Sequence, residues 1–152
     1  MAVNSTSFKE AITKCKEIAD AFQPGLKALG AESCYIKANN PKLIDGSVNI
    51  DKCLKSRYPH ASRWDYAIGY NLNAYFVEIH PADTSNVDEM IRKVWWLRKW
   101  LSESATDLQL LHKCKVFHWI PTGRVRILKG STHYKKIAKN NLVITDKIMV
   151  LK

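Results

Sequence analysis

Asp65, Glu78 and His80 are the residues of this sequence whose types and spacing could support chemistry. Glu78 and His80 stand two positions apart in an apolar run that Pro81 ends, and side chains two apart in a strand point to the same face. Two carboxylates held close together repel each other unless a cation lies between them, and carboxylate oxygens suit Mg²⁺ or Mn²⁺. A divalent ion there could stabilise charge on a phosphodiester and activate a water, and His80 could orient or deprotonate that water or bind the metal.

A β-hairpin would position these three side chains. Residues 64–70 and 74–80 are apolar, aromatic-rich runs, and the short polar connection between them is typical of two paired strands. If the pairing is antiparallel, the start of the first strand lies beside the end of the second. We therefore expect Asp65 to lie next to Glu78 and His80 at one end of the hairpin.

Helices are predicted on both sides of this hairpin in the sequence. Ser7 and Glu10 form a capping box, and apolar residues then recur at helical spacing over residues 8–22 until Pro24 and Gly25. After Pro81, N-cap residues at 84–86 precede a helix over residues 87–103 whose apolar residues share one face. The remaining predicted elements are a brief strand at 34–37, a turn at Asp45-Gly46, strands at 47–54, 115–120 and 124–128, a helix at 131–140 and an apolar segment at 142–151.

The spacing of the two acids and the order of the predicted elements resemble the PD-(D/E)xK superfamily, also called the restriction-endonuclease-like fold. That family has an Asp at the start of its second core strand and a Glu-x-Lys near the end of the third. Here Asp65 is followed by twelve intervening residues and then by Glu78-Ile79-His80. The resemblance covers residues 8 to about 128 and implies an α/β fold in a single domain, with a mixed central sheet flanked by helices.

The resemblance also implies roles for individual residues. Asp65 and Glu78 would bind Mg²⁺ or Mn²⁺, Glu17 on the first helix would add a metal ligand, and Asp65, Glu78 and His80 would be catalytic. Two positions depart from the family pattern, because Arg63-Trp64 replaces the motif's Pro and His80 replaces its Lys. The family's Lys carries a permanent positive charge, whereas a histidine side chain of ordinary pKa is mostly neutral at about pH 7.

Length and composition place the chain among single-domain globular proteins. It has 152 residues, of which 46% are hydrophobic and 25% are charged, so we predict one domain over residues 1–152. Its apolar runs are shorter than the roughly 18–20 residues that a membrane-spanning helix needs. The four cysteines are scattered without paired spacing, which favours reduced thiols. We therefore expect a cytoplasmic protein that does not enter the membrane.

The charge of the chain favours a polyanionic partner. Lys and Arg number 24 against 14 Asp and Glu, and the resulting formal charge of +10 attracts nucleic acid. The residues predicted to contact DNA or RNA are Lys93 on the long helix, Arg124 and Arg126 on one face of a strand, and Lys129, Lys135 and Lys136 around the following helix. For the long helix, which also carries Trp95, Trp96 and Trp100, the alternative is packing in the core or in a homodimer. For the strand, the alternative is protection of a sheet edge by charge.

Two functions remain open from the sequence. The first is a metal-dependent nuclease that acts on DNA or RNA phosphodiesters, as a DNA-repair or defence protein would. The second is a catalytically inactive module of the same fold that binds nucleic acid or a protein partner, which the replacement of the family's Lys by His80 allows. Whether the protein is an enzyme therefore depends on the surroundings of Asp65 and Glu78.

Overall fold

The computed structural model describes residues 6–152, and both helices and strands occur along this part of the chain. The strands are β1 (Ile36–Ala38), β2 (Ile44–Asn49), β3 (Tyr66–Tyr70), β4 (Asn73–His80), β5 (Phe117–Pro121), β6 (Leu142–Ile144) and β7 (Met149–Leu151). The helices are α1 (Phe8–Lys14), α2 (Ile50–Leu54), α3 (Val87–Ser104), α4 (Thr106–Leu111) and α5 (Thr132–Lys139), with short 3-10 segments at Lys27–Tyr35, Pro41–Leu43 and Thr84–Asn86.

Five strands form one mixed sheet in the order β2-β3-β4-β5-β6. The pairs β2–β3 and β3–β4 are antiparallel, whereas β4–β5 and β5–β6 are parallel. Parallel neighbours need a crossover connection, which α3 and α4 supply between β4 and β5, and α5 supplies between β5 and β6. β1 and β7 form a separate parallel pair. The prediction of a single α/β domain with a mixed central sheet flanked by helices is confirmed for residues 6–152.

The β3–β4 hairpin has the predicted antiparallel pairing. Its register places Tyr66 opposite Val77 and Tyr70 opposite Asn73. The two connecting residues, Asn71 and Leu72, both have positive φ, which is the backbone of the tight turn whose twist matches that of the flanking strands. Every residue of β3 is buried, so this strand lies in the middle of the domain.

The two faces of the main sheet are covered differently. Helices α1, α3 and α4 pack on one face, where Phe8, Met90 and Leu108 are fully buried. The 3-10 segment at Lys27–Tyr35 and the β1–β7 pair cover the other face. At Gly69, α1 approaches so closely that a Cβ atom would lie 2.3 Å from Cγ of Phe8.

The first predicted helix is shorter than expected. Ser7 caps it as predicted, with the Glu10 backbone N–H donating to Ser7 Oγ over 3.1 Å. The helix ends at Lys14 rather than at residue 22, because Cys15 has extended backbone angles and residues 16–20 form turns. Cys15 and Ile18 are nevertheless buried, so the apolar spacing of the sequence reflects burial of these turns in the core.

The predicted turn at Asp45-Gly46 is wrong, and the predicted strand at 47–54 is correct only over residues 47–49. Asp45 and Gly46 lie inside β2, where the register with β3 shifts and forms a bulge. Residues 50–54 form helix α2, whose first turn is capped by Asn49, because Asn49 Oδ1 accepts the Lys52 backbone N–H at 2.9 Å.

Towards the C-terminal end of the chain, the predictions are partly confirmed. The helices at 87–103 and 131–140 and the strand at 115–120 correspond to α3, α5 and β5, and the brief strand at 34–37 corresponds to β1. Residues 124–128 are not a strand, since their strand-like pairing with the rest of residues 6–152 is a single bridge between Arg126 and Asp83. The final apolar segment is divided between β6 and β7, which belong to different sheets. Helix α4 was not predicted, because six residues are too short for a clear helical period.

None of the helices within residues 6–152 combines the length and the apolar character that crossing a lipid bilayer requires.

Candidate active site

Asp65 and Glu78 face each other at one end of the hairpin. Asp65 precedes β3 by one residue, and the register of β3 with β4 places it opposite Glu78. The Asp65 backbone N–H donates to Glu78 Oε2 at 2.8 Å, and the Ile79 backbone N–H donates to Asp65 Oδ2 at 3.2 Å. Each carboxylate is thus held by the backbone of the other strand, and the hairpin brings the two acids together as expected.

The surroundings of these carboxylates disfavour two negative charges. Glu78 is 0% exposed, and burial together with the charge of Asp65 raises its pKa to about 8, although Lys93 acts in the opposite direction. Burial also raises the pKa of Asp65, against the attraction of Lys93 and the hydrogen bond from Ile79. A cation next to the two acids would lower the free-energy cost of ionising both of them.

Lys93 on α3 supplies one such cation. Its Nζ donates to Glu78 Oε1, and only 13% of its side chain is exposed. Burial lowers the pKa of Lys93, but the attraction of Glu78 and Asp65 outweighs burial and raises it. Lys93 was predicted to contact nucleic acid, and in the structure its ammonium group is the partner of a buried acid. The sequence holds a signal for this position, because Lys93 follows the buried Met90 by three residues and precedes the buried Leu97 by four.

His80 lies two residues after Glu78 on the same face of β4 and is half-buried. Its Nδ1 lies 3.1 Å from the Pro81 carbonyl oxygen. For this contact to be a hydrogen bond, Nδ1 must carry a proton, which leaves Nε2 of the neutral ring as a proton acceptor. Trp119 Nε1 donates to the His80 carbonyl at 2.9 Å and fixes this end of the strand.

Glu17 lies in the turns that follow α1, and its carboxylate has other partners. The Tyr58 hydroxyl donates to Glu17 Oε1 at 2.6 Å, and Arg57 Nε lies 3.4 Å from the same oxygen. Burial would raise the pKa of Glu17, but hydrogen bonds, chiefly from Tyr58, and the charge of Arg57 hold it below its usual value. The structure therefore does not join Glu17 to the Asp65–Glu78 pair.

The basic residues that follow β5 lie beside the carboxyl end of β4, at the end of the hairpin that carries the two carboxylates. The Thr122 backbone N–H donates to the His80 carbonyl at 3.2 Å, and the Arg126 backbone N–H donates to the Ala82 carbonyl at 2.7 Å. The loop that carries Arg124, Arg126 and Lys129 is thereby fixed beside the end of β4, and these three residues are exposed. On α5, Lys135 is exposed, and Lys136 pairs with Asp88 of α3 at 2.7 Å.

The three tryptophans of α3 have different surroundings. Trp100 is buried, as the core alternative predicted. Trp95 is 56% exposed and donates from Nε1 to Asn140 Oδ1 at the end of α5, at 2.9 Å. Trp96 is half-buried and stacks on Trp100, with ring centroids 5.9 Å apart and planes inclined by 9°.

Asp65 and Glu78 are the residues that could hold a divalent ion. Their oxygens are the ligand type that Mg²⁺ and Mn²⁺ prefer, and their raised pKa values give a cation an electrostatic reason to bind. Within residues 6–152, no group of three or more His, Cys, Asp and Glu side chains is arranged to hold a metal. Comparisons of the chain with protein-family models, curated proteins and solved structures found no match.

Proposed function

We propose that this protein is a metal-dependent nuclease-like hydrolase of nucleic-acid phosphodiesters, with a restriction-endonuclease-like core. The observation that carries the proposal is the pair of facing carboxylates, Asp65 and Glu78, with the ammonium group of Lys93 on Glu78. The order of elements supports it, since a helix, the antiparallel strands β2 to β4, the helix α3 and the parallel strand β5 follow one another.

Lys93 compensates for the absence of a lysine at position 80. The resemblance places a permanent positive charge two residues after the glutamate, where this chain has His80. Lys93 comes from a different element, α3, and its ammonium group reaches the same glutamate. A lysine charge next to the carboxylates is therefore present, and it can stabilise the negative charge that develops on a phosphate.

Each residue of the site would have a different role in the reaction. Asp65 and Glu78 would hold Mg²⁺ or Mn²⁺, which when bound stabilises charge on the scissile phosphate and lowers the pKa of a water. Nε2 of His80 would accept a proton at the edge of the site. Arg124 and Arg126, exposed in the loop beside His80, would bind phosphates that flank the cleaved bond.

The proposal is tested with the isosteric variants Asp65→Asn and Glu78→Gln. Each is expected to reduce Mn²⁺-dependent cleavage of DNA or RNA by roughly 100-fold or more, because the amide cannot replace a charged metal ligand. Asp107→Asn is the matched control, since Asp107 lies on α4, which precedes β5 and therefore lies towards the opposite edge of the sheet. Circular dichroism would confirm that all variants are folded. Wild-type protein that leaves single- and double-stranded DNA and RNA uncut and gives no heat of Mn²⁺ binding would refute the proposal.

One observation favours a catalytically inactive module as a second candidate. Lys93 already gives Glu78 a cationic partner, so this buried carboxyl group does not need a metal. In that case nucleic acid should bind in EDTA, with an affinity that falls steeply with salt. Arg124→Ala and Arg126→Ala should reduce this salt dependence, whereas Asp65→Asn should not. Such binding without any cleavage would favour this candidate over the nuclease.

A further inference from the structure

An aromatic groove lies next to Lys93 on α3. It has a volume of ≈ 240 Å³ and is lined by Tyr58, Ala61, Trp96, Lys99, Trp100 and Glu103. Trp96 follows Lys93 by three residues, which is nearly one turn of helix, or about 5 Å along the axis. The groove therefore begins one helical turn along α3 from Lys93, whose ammonium group contacts Glu78.

The wall of the groove opposite α3 is held in place by several contacts of Tyr58. The Tyr58 hydroxyl donates to Glu17 at 2.6 Å, and its carbonyl accepts from Arg63 Nη1 at 2.6 Å. Its ring meets Trp96 edge-on, with centroids 5.8 Å apart. Glu17, predicted as a metal ligand, thus fixes an aromatic side chain, and a wall that is ordered in advance reduces the entropic cost of binding.

The chemistry of the lining fits a nucleotide. Trp96 is half-buried and stacks on Trp100, and both rings line the groove as aromatic surface. Lys99 is exposed and forms no ion pair with any residue between 6 and 152, which leaves its charge for a phosphate. Glu103 is exposed on the same groove and can accept a hydrogen bond from an amino group of a base.

We propose that this groove binds one unstacked base of a single-stranded segment of the substrate, with the base against Trp96 and a neighbouring phosphate on Lys99. The inference rests on the proposed function and assigns it a substrate class. The cavity is smaller than the roughly 300–1,000 Å³ of sites that enclose a whole ligand, so it suits one ring system. Bases in a duplex are stacked on one another, whereas those of a single strand are free to stack on aromatic side chains.

The test measures binding of a labelled single-stranded oligonucleotide by fluorescence anisotropy in EDTA, where metal-dependent cleavage does not occur. Trp96→Leu should weaken binding roughly 5- to 150-fold, which corresponds to the loss of one stacked base. Trp96→Phe, which keeps an aromatic ring, should restore part of the affinity. Trp95→Leu is the matched control, because Trp95 is directed towards α5 and should change the affinity less than about twofold.

A second variant does not depend on the packing of a half-buried ring. Lys99→Ala changes an exposed side chain and should reduce the slope of log affinity against log salt by about 0.7, as expected for one lost phosphate contact to a single strand. If the wild type binds nucleic acid but Trp96→Leu and Lys99→Ala bind the single strand equally well, the groove is not the binding site and the proposed function is unaffected. If the wild type neither binds nor cleaves any nucleic acid, both proposals are overturned.

Discussion

Replacing Lys93 with Met removes the charge that neutralises Glu78 while keeping a long apolar stem. Glu78 is fully buried and only 13% of the Lys93 side chain is exposed, so the carboxylate of the variant is left beside Asp65 without a positive partner. Removing one partner of a buried ion pair typically costs about 3–5 kcal/mol of the free energy of unfolding. We expect a cost below this range, because Glu78 can avoid the isolated charge by binding a proton.

Because Glu78 can bind a proton, the loss of stability caused by Lys93→Met depends on pH. The pKa of Glu78 is about 8 in the folded protein, against an ordinary value of 4.5, so the folded state binds the extra proton and the contribution of Glu78 to stability falls as pH rises between these values. The pKa of Lys93 is raised above its ordinary 10.5, so Lys93 stays charged up to at least that pH. The pair is therefore doubly charged between about pH 8 and 10.5. We expect Lys93→Met to cost about 1 kcal/mol at pH 6, where the main loss is a hydrogen bond. At pH 9 we expect about 2.5 kcal/mol, because ionising one pH unit above its pKa stabilises wild-type Glu78 by about 1.4 kcal/mol and the variant loses this gain.

The assay is urea unfolding at pH 6 and pH 9, followed by circular dichroism. Lys99→Met is the matched control, since Lys99 lies on the same helix, is exposed and should change stability by less than about 0.5 kcal/mol. The double variant Glu78→Gln with Lys93→Met removes both charges and should recover most of the loss, because a buried neutral pair avoids the isolated charge.

Two results would contradict the reasoning. One is a cost of Lys93→Met at pH 9 that is no larger than that of Lys99→Met, which would mean that the ammonium group does not compensate Glu78. The other is a cost that is equal at both pH values, which would mean that Glu78 does not change its protonation between them.

Two further predictions concern the metal and the packing of α1. Mn²⁺ binding should displace the proton of Glu78, so its apparent affinity should increase with pH by up to about tenfold per unit below pH 8. Calorimetry in two buffers of different ionisation enthalpy measures the released proton, and an affinity that is constant between pH 6 and 8 would contradict it. Gly69→Ala should lower stability by about 1–3 kcal/mol, because the added Cβ would lie 2.3 Å from Cγ of Phe8. In a double-mutant cycle measured by urea unfolding, Phe8→Ala should remove most of this cost, and additive effects would refute the contact.

The sequence by itself was sufficient to predict the parts of the site that depend on local pairing. Asp65 and Glu78 are separated by one hairpin, and a short connection between two apolar runs leaves little freedom in how they pair. The same holds for the apolar face of α3 and for α5 with its Ser131 cap, which lie within continuous stretches of chain. The predicted N-cap residues 84–86 instead form a 3-10 segment, and α3 has no side-chain cap. These features depend on interactions between residues near each other in the sequence.

The tertiary structure decided which other residues join the pair. Lys93 reaches Glu78 only because α3 packs on the sheet with one rotation about its axis, and the same rotation directs Trp96 to the groove and Trp95 to α5. Glu17 was assigned to the metal on the assumption that α1 continues, but the chain turns after Lys14 and places Glu17 against Tyr58. Such contacts depend on the relative placement of whole elements, and the periodicity within one element carries little information about what its neighbours present to it.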